Sequence, residues 1–211
     1  MSEEKRRKVG IMGGTFDPIH IGHLILGENA FQQFGLDYVL FMPSGNPPHK
    51  RNRPGRASTQ ERVDMVKLAI ADNPHFVLSL AETHEDGYTY TKETLERLTR
   101  EHPDTDYYFI MGADSLFSFE TWKEPQGICD LCTLLVAVRN DVGMELLDAK
   151  ISDLKEKYGG RILKLDAPNI EISSGAMRKH IFQQRSLRYY MPETVAEYIE
   201  VKQLYRECEK E

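Results

Sequence analysis

Several features that define particular classes of protein are scarce or missing in this sequence. No apolar run approaches the roughly 20 residues of a membrane-spanning helix, and residues 1–8 lack the apolar core of a signal peptide. Only three of the 211 residues are cysteines, an odd number that fits a reducing compartment. We therefore expect a cytoplasmic protein with no membrane partner.

The residues of metal-based and nucleophilic chemistry are also scarce. Cys129 and Cys132 form a single Cys-x-x-Cys with no second pair and no nearby histidine, which is at most half a zinc site. We interpret both as small apolar residues that lead into a strand, and we expect no metal ligands from the protein. The sequence shows neither a nucleophile with a positioned base nor a carboxylate cluster for two metals.

Acidic residues outnumber basic ones in the chain as a whole, but one loop is basic. The formal net charge is −6, which argues against a general nucleic-acid-binding protein, because such proteins are normally basic. Residues 38–60 contain no Asp or Glu, however, and include Lys50, Arg51, Arg53 and Arg56. This loop is suited to attract phosphates, and the sequence leaves open whether its three arginines bind substrate or are only solvated.

Strand-like and helix-like segments alternate along the chain. Six apolar runs, typical of buried parallel strands, start at Val9, Asp37, Phe76, Asp106, Thr133 and Arg161. Ser58 and Glu61 predict a capping box at one helix start, and Gly159 predicts the end of another helix. The alternation predicts an α/β fold, a Rossmann-like doubly wound parallel sheet with helices on both faces, in a single domain over residues 1–211.

A glycine-rich turn connects the first strand to the first helix. Gly13 and Gly14 allow the backbone to approach an anion closely. The helix that follows directs unpaired N–H groups and its positive dipole end toward the same place. His20 and His23 lie three residues apart at the start of this helix, so both imidazoles can contact one phosphate. We expect both to face solvent, at the sheet edge where α/β proteins bind ligands.

A second junction near the C-terminus has similar chemistry. Ser173 and Ser174 can cap a helix and add hydroxyl donors to its anion-binding N–H groups, and Arg178 lies about one turn further on. Two such junctions can hold a triphosphate at two points. Nucleotidyl transfer needs little covalent chemistry from a protein, because in-line positioning and neutralisation of phosphate charge can suffice.

Two more candidates follow the fourth strand. Gly112 and Asp114 come directly after it, and Asp114 is suited to bind ribose hydroxyls or a metal-bound water, or to occupy a helix N-cap. Trp122, the only tryptophan, lies in a polar segment. Its ring can stack on a flat ligand, although a lone Trp is more often part of a core.

These motifs resemble a known family. Gly-Gly-Thr-Phe-Asp-Pro-x-His-x-Gly-His at residues 13–23 resembles the signature of the nucleotidyltransferase superfamily, most closely the bacterial nicotinate-nucleotide adenylyltransferases. Residues 172–178 resemble the second family motif, Ile-Ser-Ser-Thr-x-x-Arg, with Gly175 in place of the usual Thr. The resemblance runs from Gly10 to the last helix. It implies the transfer of adenylyl from ATP to nicotinate mononucleotide, which yields nicotinate adenine dinucleotide and pyrophosphate, with Mg²⁺ bound through the ATP phosphates.

The resemblance also implies roles for individual residues. The catalytic residues would be His20, His23 and Arg178. ATP would be bound by Gly13, Gly14, Thr15, Phe16, His20, His23, Gly112, Asp114, Ile172, Ser173, Ser174 and Arg178. The mononucleotide would be bound by Asp17, His49, Lys50, Thr91 and Trp122, of which Thr91 ends a Gly-x-x-Tyr-Thr segment typical of the family.

Three alternatives stay open at this point. Another adenylyl- or cytidylyltransferase, such as one that makes a coenzyme A precursor, shares His-x-Gly-His but lacks the pair formed by Gly-x-x-Tyr-Thr and Trp122. Class I aminoacyl-tRNA synthetases share the motif too, but they need an anticodon-binding part and a Lys-Met-Ser-Lys-Ser-like loop, neither of which is found. A non-catalytic nucleotide sensor need not keep His20, His23 and Arg178. The sequence allows a homo-oligomer.

Overall fold

The computed structural model describes residues 6–45, 55–83, 89–138 and 143–206. These ranges form six strands and eight α-helices. The strands are β1 (Arg7–Gly14), β2 (Tyr38–Pro43), β3 (Phe76–Leu78), β4 (Thr105–Gly112), β5 (Cys132–Ala137) and β6 (Ile162–Leu165). The helices are α1 (Ile21–Phe34), α2 (Thr59–Ala69), α3 (Thr91–Glu101), α4 (Ala113–Phe117), α5 (Pro125–Leu131), α6 (Met144–Tyr158), α7 (Ser174–Phe182) and α8 (Glu193–Val201), and a 3₁₀ helix covers Phe119–Thr121.

The strands form one sheet in the order β3-β2-β1-β4-β5-β6. β1 pairs with β4, β4 with β5 and β5 with β6, each in parallel. In this register Ile11 lies beside Phe109, and Phe109 beside Leu134. The order is that of a doubly wound Rossmann fold, in which the chain starts at the centre of the sheet and proceeds outward on each side. The predicted α/β class is therefore confirmed.

The apolar runs of the sequence become the interior strands. Every residue of β5 is buried, as is the stretch from Tyr107 to Met111 in β4. Such continuous runs fit strands that are covered on both faces. β3, at the edge of the sheet, is shorter than its apolar run, and Val77 and Leu80 of that run are exposed.

Local signals set several helix ends. Ser58 and Glu61 form the predicted capping box at the start of α2. α6 ends at Gly159, whose φ of 63° lies in the left-handed region that glycine adopts without a Cβ penalty. None of the described helices combines the length and the apolar character that crossing a membrane requires.

The Cys-x-x-Cys segment is part of the core. Cys129 lies in α5 and Cys132 begins β5, and both are buried thiols that form no disulfide. Burial raises the pKa of the Cys129 thiol to about 11, and it raises that of Cys132 as well. A thiol that keeps its proton is a poor nucleophile and a poor metal ligand, which agrees with the interpretation of both residues as apolar.

The chain divides into two compact units, each built from three segments. Unit 1 consists of Met1–Gly13, Leu26–Leu40 and Tyr90–Asn169. Unit 2 consists of Gly14–Ile25, Phe41–Thr89 and Ile170–Glu211. Neither unit is a continuous stretch of sequence, and the expectation of a single domain over residues 1–211 stays a prediction.

Candidate active site

Unit 2 contains the turn from Gly14 to His23, which we call the histidine turn. His20 directly precedes α1, and His23 lies in its first turn. The centroids of the two rings are 3.8 Å apart, and the backbone N–H of His20 donates to Nδ1 of His23 over 3.3 Å. A ring nitrogen that accepts a hydrogen bond has no proton of its own, so a neutral His23 has its proton on Nε2 and can donate it to a phosphate oxygen.

The expectation of two solvent-facing histidines is wrong for His20. Its exposed fraction is 5%, whereas His23 is half-buried. Gly22 packs against the His20 ring, because a Cβ at Gly22 would lie 3.1 Å from Nδ1 of His20. The glycine between the two histidines therefore allows the close approach that buries the His20 ring.

Phe16 supports the histidine turn from inside. It is 2% exposed, and its φ of 50° is unusual for a residue with a side chain. Its ring meets His23 edge-on with centroids 5.0 Å apart, and the centroid of Phe41 lies 6.1 Å away. The ring thus helps to fix His23, and the predicted contact of Phe16 with ATP stays a prediction.

The start of α7 is hydrogen-bonded to the histidine turn. Ser173 caps α7 by accepting the N–H of Ala176 at its Oγ, over 3.1 Å. The Ser174 hydroxyl donates to the carbonyl of Pro18 over 2.9 Å, and Nη1 of Arg178 donates to the carbonyl of Asp17 over 2.6 Å. Unit 2 therefore brings together the two segments that the sequence predicted to bind phosphate.

Asp17 is the central acceptor of this arrangement. It is 2% exposed, and its Oδ1 accepts the N–H of Ala57 over 3.2 Å and the hydroxyl of Tyr205 over 2.8 Å. Its Oδ2 lies 3.1 Å from Nη1 of Arg56 and 3.9 Å from Nη1 of Arg178. Burial, together with the neighbouring Asp17 carboxylate, raises the pKa of the Tyr205 hydroxyl, which therefore remains a donor.

Arg62 is a second buried anchor. It is 4% exposed, and it donates to the carbonyls of Thr15 and Gly45 over 2.7 and 3.0 Å and to the hydroxyl of Thr59 over 3.2 Å. Burial lowers the pKa of its guanidinium, and the nearby Asp17 opposes that effect. Arg62 thus connects the histidine turn to the segment that follows β2 and to the start of α2.

The sequence motifs do not point to Arg62 or Tyr205, and they leave the role of Arg56 open. Arg62 had a recognisable signal, because it shares one helical stripe of α2 with buried apolar residues, namely Met65, Val66 and Ala69. An arginine on such a stripe needs buried acceptors. Tyr205 had no signal, since it is one of ten tyrosines and its partner Asp17 is 188 positions away.

Five other predicted site residues belong to unit 1, namely Gly13, Thr91, Gly112, Asp114 and Trp122. Ile172, which is half-buried, belongs to unit 2. Thr91 is the first residue of α3. Lys123, next to Trp122, donates to Glu93 over 2.6 Å, and its Nζ lies 4.2 Å from the ring centroid of Tyr90. The segment that contains Trp122 therefore contacts the start of α3 through Tyr90 and Glu93, which lie on either side of Thr91 in the sequence.

Trp122 is both packed and partly accessible. Its ring meets Phe109 edge-on with centroids 5.9 Å apart, and it is tilted against Phe119 at 5.6 Å. The residue is half-buried, so part of its surface remains accessible. These contacts hold the indole in place without burying it, as a stacking platform requires.

Asp114 does not occupy the helix N-cap that was one of its expected roles. Gly112 occupies the N-cap position of α4, where no side chain caps the helix. Asp114 lies exposed inside the first turn of that helix, so the N-cap role is wrong. The helix dipole still favours a carboxylate there. His49 and Lys50, together with Arg51 and Arg53, lie outside the described residues.

The fold and the histidine turn define a nucleotidyltransferase. The family model described as cytidylyltransferase-like matches residues 11–180, and this range includes both segments that the sequence predicted to bind phosphate. This match confirms the nucleotidyltransferase superfamily that the motifs indicated.

Similar proteins make the assignment more specific. Over 193 residues the chain is 44% identical to a probable nicotinate-nucleotide adenylyltransferase of Lachnoclostridium phytofermentans, which covers 92% of this chain and 96% of the relative. A probable nicotinate-nucleotide adenylyltransferase of Synechococcus sp. is 43% identical over 205 residues, with 96% and 97% covered. The chain belongs to the family of nicotinate-nucleotide adenylyltransferases.

A solved structure agrees on the fold. The Plasmodium falciparum nicotinic acid mononucleotide adenylyltransferase complexed with NaAD superimposes with a TM-score of 0.79 and covers 95% of this chain and 98% of its own. The two sequences are 18% identical. At that identity the likeness shows that the chains share a fold.

Proposed function

We propose that this nicotinate-nucleotide adenylyltransferase uses the histidine turn and the start of α7 as its catalytic centre. The observation that supports this centre is the pair of hydrogen bonds from Ser174 to Pro18 and from Arg178 to Asp17. They join two anion-binding helix starts within unit 2, each with cationic or imidazole side chains. One triphosphate can then contact both segments.

The reaction is an in-line transfer. An oxygen of the mononucleotide phosphate attacks the α-phosphorus of ATP, the bond from that phosphorus to the bridging oxygen breaks, and pyrophosphate leaves with the electron pair. The Nε2–H of His23 and the imidazole of His20 hydrogen-bond to the α-phosphate oxygens, where negative charge grows in the transition state. No covalent enzyme intermediate is needed, because the acceptor phosphate is itself the nucleophile.

The remaining ATP contacts follow from the same helix starts. The first-turn N–H groups of α7, with Ser173, Ser174 and Ile172, bind the outer phosphates beside Arg178. The backbone of Gly13 to Phe16 approaches the triphosphate, and Gly112 and Asp114 bind the ribose. The Asp17 carboxylate is engaged by several groups of the chain, which favours a positioning role over the predicted contact with the mononucleotide.

The pyridine ring would be bound in unit 1. Thr91 and the first-turn N–H groups of α3 would accept the nicotinate carboxylate at a positive helix end, and Trp122 would stack on the ring. The contacts of Lys123 with Glu93 and Tyr90 support this pairing, because they fasten the Trp122 segment to the start of α3. The mononucleotide phosphate is assigned to His49 and Lys50.

Magnesium would enter as the complex with ATP. In the described ranges, no group of three or more His, Cys, Asp or Glu side chains is suited to hold a metal ion. We assign the ion to the phosphate oxygens of ATP. When bound, Mg²⁺ neutralises charge on the leaving pyrophosphate.

The test is a screen of phosphate-bearing acceptors with ATP and Mg²⁺, read out as pyrophosphate and as dinucleotide on a column. We expect equal amounts of pyrophosphate and nicotinate adenine dinucleotide with nicotinate mononucleotide, and no product with 4′-phosphopantetheine. Excess chelator should stop the reaction. Product from 4′-phosphopantetheine alone would contradict the acceptor, and full turnover in chelator would contradict the role of the metal.

Two expectations about the protein as a whole stay predictions. A cytoplasmic location agrees with the buried thiols of Cys129 and Cys132, which form no disulfide. A homo-oligomer is allowed by the sequence, and light scattering of the purified protein would decide it.

A further inference from the structure

Three arginines and one carboxylate form a largely buried cluster in unit 2. The side chains of Arg56 and Arg178 are 14% and 11% exposed, that of Asp17 is 2% exposed, and Arg62 is 4% exposed. Among these four side chains the positive charges outnumber the negative charge by two. Guanidinium groups gathered in this way suit an anionic ligand with more than one charge.

Two of the arginines share one oxygen of Asp17. Nη1 of Arg56 lies 3.1 Å from Oδ2 and Nη1 of Arg178 lies 3.9 Å from the same atom, so these two nitrogens are at most 7.0 Å apart. One polyphosphate chain can contact both groups at that separation. The two other hydrogen bonds to Asp17, from Ala57 and Tyr205, fix the carboxylate that holds them.

Arg56 and Arg62 differ in what they contact. Arg62 donates to two carbonyls and a hydroxyl of the chain, which is a scaffolding role. Arg56 contacts Oδ2 of Asp17, the same oxygen that lies near Arg178. It is two residues before Ser58, the N-cap of α2. A guanidinium is a planar fork that matches phosphate oxygens in pairs, so its place beside Arg178 suits it to the same anion.

We propose that Arg56 is a second arginine for the outer phosphates of ATP, held beside Arg178 by the carboxylate of Asp17. The inference rests on the proposed function in taking the triphosphate of ATP as the anion. Arg56 then contacts the pyrophosphate that leaves, and Asp17 is the residue that positions both arginines.

The test measures the binding of inorganic tripolyphosphate by calorimetry, in the native protein and in Arg56→Gln. We expect Kd to rise roughly tenfold or more in Arg56→Gln, because a charge-assisted hydrogen bond is lost. Arg178→Gln provides the benchmark, and Arg100→Gln, at an exposed arginine in the last turn of α3, is the matched control with native Kd. Tripolyphosphate is not a substrate, so the result stands whether or not dinucleotide is formed.

Steady-state kinetics then distinguish the phosphate that Arg56 contacts. We expect Arg56→Gln to raise KM for ATP much more than KM for nicotinate mononucleotide. Native tripolyphosphate affinity in folded Arg56→Gln would overturn the proposal, as would a KM increase confined to the mononucleotide. If Arg56→Gln does not fold, Arg56→Lys decides, because it keeps the charge beside Asp17 but loses the fork; native Kd in that variant would overturn the proposal.

Discussion

The two histidines of the candidate active site differ in burial, and this difference determines how their substitution is interpreted. His20 is buried under Gly22, and His23 is half-buried with Phe16 below it. Removing the His20 ring leaves a cavity and also removes a predicted phosphate ligand. Removing the His23 ring chiefly takes away a donor, so His23 gives the cleaner test of catalysis.

We predict that His23→Ala lowers kcat/KM by ~10²-fold or more, with little change in Tm, because its Nε2–H stabilises charge that grows in the transition state. His20→Ala should lower kcat/KM to a similar extent and also lower Tm. His102→Ala, at an exposed histidine, is the control for both. Steady-state kinetics and thermal melts check this, and native kcat/KM in folded His23→Ala would assign that ring a structural role.

Among the secondary-structure elements, the 3₁₀ helix and α6 are joined by an ion cluster in unit 1. Glu120 accepts hydrogen bonds from Lys150 over 2.5 Å and from Lys157 over 2.6 Å. These bonds, that of Lys150 foremost, lower the pKa of the Glu120 carboxyl to about 2. A depressed folded-state pKa means that the cluster stabilises the fold above the ordinary Glu value of about 4.3, and that this contribution is lost as the pH falls toward 2.

We therefore predict that Glu120→Gln is less stable than the native protein at pH 7. The difference in stability should shrink steadily from pH 4.5 down to the lowest pH at which the protein still folds. Urea titrations at a series of pH values measure it as the difference in midpoint. Glu156→Gln, at an exposed glutamate of α6, is the matched control and should remain near the native midpoint at each pH. A Glu120→Gln difference that is constant over the same pH range would contradict the role of the ionised carboxylate.

The sequence located the strands and the longer helices but missed short helices. The strands are found from apolar runs, and α2 and α6 from a capping box and a terminal glycine. The 3₁₀ helix and α5, between Gly112 and Cys132, were not predicted, and α4 was indicated only by the N-cap role considered for Asp114. Helices of one or two turns are too short to show a helical period. These short helices are stabilised by tertiary packing, which local helix propensity does not reveal.

The candidate site shows the same division. Its residues were recognised from two motifs, because helix-start chemistry is local in sequence. The contacts that assemble it are not local, since Arg178 and Asp17 are 161 positions apart. The buried pairing of Arg56 with Asp17 and the role of Tyr205 therefore became visible only in three dimensions.

Across the whole molecule, the predicted substrate contacts are distributed over both units. Most of the triphosphate residues belong to unit 2, and the two residues assigned to the pyridine ring, Thr91 and Trp122, belong to unit 1. Within unit 1 the start of α3 has no side-chain cap, because its N-cap residue is Tyr90. The first-turn N–H groups of α3 therefore suit a carboxylate, which accepts hydrogen bonds and donates none.

We predict that the enzyme prefers nicotinate mononucleotide over the amide mononucleotide. The two substrates differ only in carboxylate versus carboxamide, and the amide would place an NH₂ group where the backbone donors of α3 need an acceptor. Sites built on such hydrogen bonds discriminate by several orders of magnitude, whereas a pocket that recognises shape alone reaches roughly 10–200-fold. The measurement is kcat/KM for both mononucleotides under identical ATP and Mg²⁺.

Trp122→Leu is the companion variant. It should raise KM for both substrates while leaving most of the preference for the acid, because stacking acts on the ring and the N–H groups act on the carboxylate. Equal kcat/KM values for acid and amide in the native enzyme would show that the start of α3 does not recognise the carboxylate.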